Sequence, residues 1–195
     1  MKKLYIYLFL VLFGLQISSQ ADDISDFQIE GMSIGDSALN YISEEQIQEN
    51  LFTEHYNDKT FTVVQNDHLP FFKTYDAVDF DFKTGDKNYI IYALSGVLIY
   101  KNNIKECYRK MEETVLELSK TFKGKAKMGK KIKKKHSADK TGKSTHTHIA
   151  FWFDNGDVGS VSCYDYSKEF GGQNHMAVVL STKEHNDFLV NKAFN

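Results

Sequence analysis

The alternation of apolar and polar positions is most informative between residues 87 and 122. Residues 89–100 are nearly continuous apolar and aromatic sequence, broken at Ser95 and Gly96, and predict a long strand. Ile104, Tyr108, Met111, Val115, Leu118 and Phe122 then recur at steps of four and three, which sets them along one helix face with Cys107 on its shoulder. Asn103, with Glu106 three residues on, gives this helix a capping-box-like start. Glu106 and Lys110 form an i,i+4 pair, and Gly124 ends the helix.

The same reading extends in both directions. Residues 27–30 alternate as a short strand, and 34–50 read as helix, break, helix, with start signals at Ser33, Asp36 and the Ser43/Gln46 pair. A short strand follows at 61–64. The 75–82 stretch turns Val78, Phe80 and Phe82 toward a core, and a turn at 84–87 leads into the antiparallel return of 88–100. Gly96 in mid-strand predicts a bulge or sharp twist. Later, Ile149, Phe151 and Phe153 share a face, and Asp154, Asn155, Gly156 and Asp157 make a hairpin turn. The strand at 158–166 returns with Val161 and Cys163 on one face, Gly171 and Gly172 turn the chain, and 176–180 is a last strand. Ser181 with Glu184 caps a final helix carrying Phe188, Leu189 and Phe194. Sequential hairpins with interspersed helices predict an α+β fold, an antiparallel sheet with helices packed on one face, in which a helix-plus-three-strand unit occurs twice.

Residues 1–21 stand outside this pattern. Lys2 and Lys3 precede an apolar run at 4–15, and Ser19, Gln20 and Ala21 supply a small-residue cleavage site, the layout of a secretory signal peptide. The run is short of the ~20 residues of a membrane span, and no second such run follows. The expectation is a single domain at 22–195 in a periplasmic or secreted location, with no transmembrane span once the signal is removed. Loss of Lys2 and Lys3 leaves 22 basic against 26 acidic residues, a net charge of −4 with histidine neutral, which does not favour nucleic acid as partner. Export makes Cys107 and Cys163 readable as a disulfide closing a 56-residue loop; two buried free thiols are the alternative.

Candidate chemistry is sparse. Gly35, Asp36 and Ser37 resemble the nucleophile block of GDSL-type esterases, but the Asp-x-x-His and Gly-x-Asn-Asp elements that would serve Ser37 are missing; a turn and helix cap is the competing reading. Gly142, Lys143 and Ser144 end like a phosphate-binding loop, but Ser137 stands where its first Gly belongs. His146 and His148 alternate onto one strand face and are the only metal candidates, with His136 or His175 as a third ligand and no carboxylate or Cys at convincing spacing. Lys130, Lys131, Lys133, Lys134 and Lys135 lie in a Lys-rich loop at 123–143, read either as a solvated connection or as an anion-binding surface for lipid head groups or cell-wall polymers. Trp152 shares the face of His146 and His148, away from Ile149, Phe151 and Phe153, and is expected to be partly exposed at a binding surface or covered by a second layer. No cofactor motif is present. These residues point to a non-catalytic exported binding or interaction domain, its partner an envelope protein or an anionic surface; the alternative is an exported hydrolase using Ser37 or a His cluster.

Three blocks, at 29–41 (IEGMSIGDSALNY), 101–111 (KNNIKECYRKM) and 138–145 (ADKTGKST), together with the leader, resemble a family of small exported proteins from marine bacteria with compact genomes. That resemblance implies no assigned activity and carries no catalytic residue. Gly31, Met32 and Ser33 opening a helix-break-helix are similar to the start of the BamE and β-lactamase-inhibitor-protein folds, which implies a binding module.

Overall fold

The computed structural model describes residues 23–195 apart from His68, Pro70 and Asn102; the expected signal peptide at 1–21 lies outside the described residues. A small antiparallel ribbon opens the fold, Gln28–Ile29 (β1) against Met32–Ser33 (β2). A 3-10 turn at Ala38–Asn40 and the helix Glu44–Glu49 (α1) follow. Next come Leu51–Phe52 (β3), Phe61–Asp67 (β4), Ala77–Lys83 (β5) and Ala93–Lys101 (β6), and then the long helix Ile104–Thr121 (α2). The second half consists of Ala126–Met128 (β7), Ile132–Lys135 (β8), Thr145–Phe153 (β9), Val158–Asp165 (β10), Asn174–Ser181 (β11) and Lys183–Asn191 (α3).

The fold is α+β, and all pairings in it are antiparallel. One sheet runs in the order β3-β4-β5-β6-β11-β10-β9-β7, with β8 also pairing β9. Two three-strand meanders, β4-β5-β6 after α1 and β9-β10-β11 after α2, therefore meet through their last strands, β6 and β11, at the centre of the sheet. The repeated unit expected from sequence is present in topology.

One sheet face is sealed. Val64, Phe80, Leu94, Met176 and Val161 are buried there, and α2 lays Cys107, Met111 and Val115 on them. Phe122 closes the end of the helix among Phe27, Phe151 and Phe153, with ring centroids 4.5–5.2 Å away. Cys107 and Cys163 form a disulfide that ties α2 to β10. Loop-closure entropy over 56 residues assigns that link about 4 kcal/mol. The shorter α3 turns back over the β4 end of the opposite face, packing Phe188 on Phe61 and Tyr56.

Several expectations shift. The strand predicted at 88–100 begins only at Ala93, because Tyr89 takes φ 49° and its hydroxyl is held by Gln48 and Glu44. The helix read into residues 34–42 is a 3-10 turn capped by Ser37. Gly96 is no bulge: the Tyr75 ring lies over it, 2.7 Å from where a Cβ would stand. Asn103 caps α2, but Glu106 pairs with Arg109 rather than completing the box or meeting Lys110. Thr182, not Ser181, caps α3, and Phe194 lies beyond its end. The Lys-rich stretch at 123–143, expected as loop, contains β7 and β8, because β9 offers a free edge that backbone alone can pair.

Candidate functional site

The sheet face opposite α2 is built differently. On the two central strands, Ala93, Ser95 and Val97 of β6 stand beside Ala177 and Val179 of β11, so the floor has little volume. Around it stand large groups: Tyr56 and His55 from the loop after β3, His185 and Leu189 of α3, Phe194, and at the other end Tyr164, Tyr166, His136 and His175. Small residues under a rim of rings leave a cavity of about 440 Å³, within the size range of small-molecule sites.

Carboxylates form one side. Period-2 alternation sends Val78, Phe80 and Phe82 of β5 into the core and therefore Asp79 and Asp81 into this cavity. Asp81 is engaged: its Oδ2 accepts from the Tyr56 hydroxyl at 3.0 Å and faces His185 Nε2 at 2.5 Å. His185 Nδ1 lies 3.0 Å from Ser181 Oγ. Asp79 takes a side-chain hydrogen bond from Gln65, and burial, then the neighbouring Asp81 charge, push its carboxyl up to about 7. Burial and then the Asp81 carboxylate also push the Tyr56 hydroxyl far above the ordinary phenol range. Burial holds His55 and His175 below the ordinary imidazole range. Among the described residues no lysine or arginine lines the cavity.

Rings form the other side. Tyr164 stacks between His146 (4.6 Å) and His175 (4.5 Å), and His148 continues the stack at 4.8 Å from His146. The register produces this stack, since Tyr164 lies directly opposite His146 on β9 and His175 on β11. Burial first, then the neighbouring His148, His136, Lys134 and His175, lower the His146 imidazole to about 4. Burial raises the Tyr164 hydroxyl to about 12. The wall's upper part is the loop 136–144, pinned by Asp139, whose carboxylate accepts from Thr141 N, Thr141 Oγ1 and Ser144 N at 2.7–2.8 Å. His136 reaches from the start of this loop to Tyr166, with centroids 5.2 Å apart.

The residues singled out from sequence divide accordingly. Cys107 and Cys163 are bonded to each other. Ser37 is a structural hydroxyl that accepts from Leu39 N and donates to Asn88 O at 2.6 Å; among the described residues no imidazole serves it. Gly142, Lys143 and Ser144 belong to the Asp139-pinned loop and precede a strand. His146 and His148 come together, but as parallel stacked rings rather than nitrogens converging on one point, and no group of three ligating side chains that could hold a metal occurs among the described residues. The lysines are not gathered. Lys131 pairs with Glu112 at 2.9 Å and Lys133 lies over the Tyr108 ring, both on the α2 side, whereas Lys134 stands opposite His146 on the other face. Lys135 lies against Gly142, and Lys130 is exposed just before β8. Trp152 is half exposed beyond the cavity.

Sequence reasoning missed Asp79, Asp81 and the cluster of Ser181, His185 and Asp81. The alternation of β5 was the available signal, since it fixes a polar row as firmly as an apolar one. The three stand in the order of a serine-hydrolase triad, but His185 Nε2 makes no hydrogen bond in its contact with Asp81. Moreover, Ser181 is only 4% exposed and does not line the cavity, so no substrate carbonyl reaches its oxygen.

Compared with protein-family models and with curated proteins, the chain matches none. Among solved structures it is similar to the solution structure of cyanobacterial PsbP from Synechocystis sp. PCC 6803, at 15% identity and a TM-score of 0.31, covering 69% of this chain and 81% of that one. A likeness at that level fixes neither kinship nor function.

Proposed function

We propose that this protein is an exported, non-catalytic binding domain whose ligand site is the cavity on the sheet face opposite α2. The observation that carries the reading is the cavity itself: a floor of small residues, a rim of aromatic and imidazole rings, and two carboxylates. Export is supported by the signal-peptide layout of residues 1–21 and by the Cys107–Cys163 disulfide, which persists in oxidising compartments. No described helix is long and apolar enough to cross a membrane.

The test is a small-molecule screen by thermal shift on the mature protein, paired with Ala177→Trp, which fills the floor of the cavity. Hits that raise the melting temperature of the parent and not of the filled variant support the reading. A panel of ester, phosphate and peptide substrates runs beside it with Ser37→Ala, His148→Ala and Ser181→Ala controls. Turnover abolished by any of these substitutions overturns the non-catalytic reading in favour of a hydrolase.

A further inference from the structure

The proposed binding reading leaves the chemical class of the ligand open, and the cavity's charge distribution narrows it. The geometry points to a small organic cation as ligand, its ammonium group on Asp79 and its flat or apolar body against the Tyr164 and His175 rings. This inference rests on the cavity being the binding site.

Four observations lead there. First, both full ionic side chains lining the cavity, Asp79 and Asp81, are acidic, and among the described residues no lysine or arginine lines it to offset them. Second, the two carboxylates are not equivalent. Asp81 is already bound by Tyr56 and faces His185, whereas Asp79 is held only through the amide of Gln65 and keeps acceptor capacity for a ligand. Third, burial holds the His55 and His175 imidazoles toward their neutral forms, so they add rings rather than positive charge. Fourth, aromatic rings attract cations through their quadrupoles, and Tyr56 and Tyr166 bring two further rings to the cavity beside the Tyr164 stack. An anionic ligand would meet two carboxylates in a partly desolvated space with no described lysine or arginine to receive it, and a neutral one would leave Asp79 buried without a counter-charge.

The arrangement also sets a proton balance. The titratable groups facing Asp79 are Asp81 on its own strand, Asp67 on β4, and Tyr56 from the loop after β3. His55, His175 and His185 line the cavity beyond them. A cation seated on Asp79 favours its ionised form, so a proportion of the protonated carboxyls lose their proton to the buffer as the ligand binds.

The experiment is isothermal titration of the intact mature protein with three probes of matched size: phenethylamine, 2-phenylethanol and 3-phenylpropionate. The amine, protonated throughout, is expected to bind about tenfold more tightly than the alcohol at about pH 8. It is also expected to weaken toward about pH 5.5 and, near pH 7, to release protons detectable as a dependence of the heat on buffer ionisation enthalpy. Asp79→Asn should remove the tenfold preference of amine over alcohol and the proton release. Far-ultraviolet circular dichroism of that variant confirms that it is folded. Equal or tighter binding of the alcohol or the propionate overturns the cation inference and leaves the cavity reading standing. Absence of binding by all three probes at millimolar concentration overturns both.

Discussion

Replacing Asp79 by Asn tests the electrostatics of the cavity without any ligand. In the folded protein the carboxyl is pushed from an ordinary 3.8 up to about 7, by burial and by the nearby Asp81 charge. Between these values the native state holds a proton that the unfolded chain releases. Stability from this group therefore falls as pH rises through that window, and above about pH 7 the folded state carries the whole penalty. Three units at ~1.4 kcal/mol each give a penalty on the order of 4 kcal/mol. Asn keeps the shape and the hydrogen bond to Gln65 but has no charge to desolvate. The variant should match the parent at about pH 4 and exceed it by up to about 4 kcal/mol at about pH 8. The assay is urea unfolding of both proteins followed by circular dichroism at several pH values across that range, with the difference between them isolating Asp79 from every other titrating group. A stability difference that is constant with pH, or one that favours the parent at high pH, refutes the reasoning. A gain in stability on removing the charge is what a group kept for binding rather than folding produces.

Three further outcomes follow from the structure. The double variant Cys107→Ala/Cys163→Ala should lose about 4 kcal/mol and show a larger urea m-value, because the 56-residue loop no longer restrains the denatured chain; a loss under about 1 kcal/mol with unchanged m would contradict it. Gly96→Ala places a methyl 2.7 Å from the Tyr75 ring and should cost about 1–3 kcal/mol in thermal unfolding, and Tyr75→Ala in the same chain should recover part of that. Glu30 accepts from the backbone N–H groups of Lys73, Thr74 and Tyr75, and these bonds hold its carboxyl below 4.5 although burial works the other way. This anchoring is complete above about pH 4.5 and is lost as pH falls through the lowered value, so hydrogen exchange at residues 73–75 should accelerate in Glu30→Gln and the parent should approach the variant in acid.

Local periodicity made most of the first face legible. Steps of four and three along 104–122 identify α2 and its buried stripe, and alternation along 77–83 and 149–153 identifies strands whose apolar residues the structure buries. Composition was a poorer guide to backbone. The run from Lys130 to Lys135 is solvated, as its charge implies, yet Ile132–Lys135 is an edge strand, since pairing to β9 needs only backbone groups and its lysines guard the outer edge against further pairing. Motif resemblance was poorest. Gly35, Asp36 and Ser37 form a turn in which Asp36 accepts from Ser33 N and from the Tyr41 hydroxyl, and the phosphate-loop-like Gly142, Lys143 and Ser144 belong to the Asp139-pinned loop.

The candidate site was invisible for a different reason, and the same reason explains why it exists. Small side chains at Ala93, Ser95 and Val97 look like ordinary strand positions, and so do Ala177 and Val179. They become a cavity floor only because β6 pairs β11 across some eighty residues of intervening sequence, in a register that sets Ser95 against Val179 and Val97 against Ala177. The groups above the floor arrive from as far apart as Tyr56, Tyr164 and His185, so no window of sequence contains two sides of the site. The sealed face and the open face make opposite use of the same alternation. On one, large apolar residues and a disulfide form the core; on the other, small residues alternate with them along the same strands, and the space they leave is bounded by rings and by a carboxyl whose ionised form burial disfavours. Core packing needs neither that cavity nor that carboxyl, which is the physical ground for reading the open face as the working one.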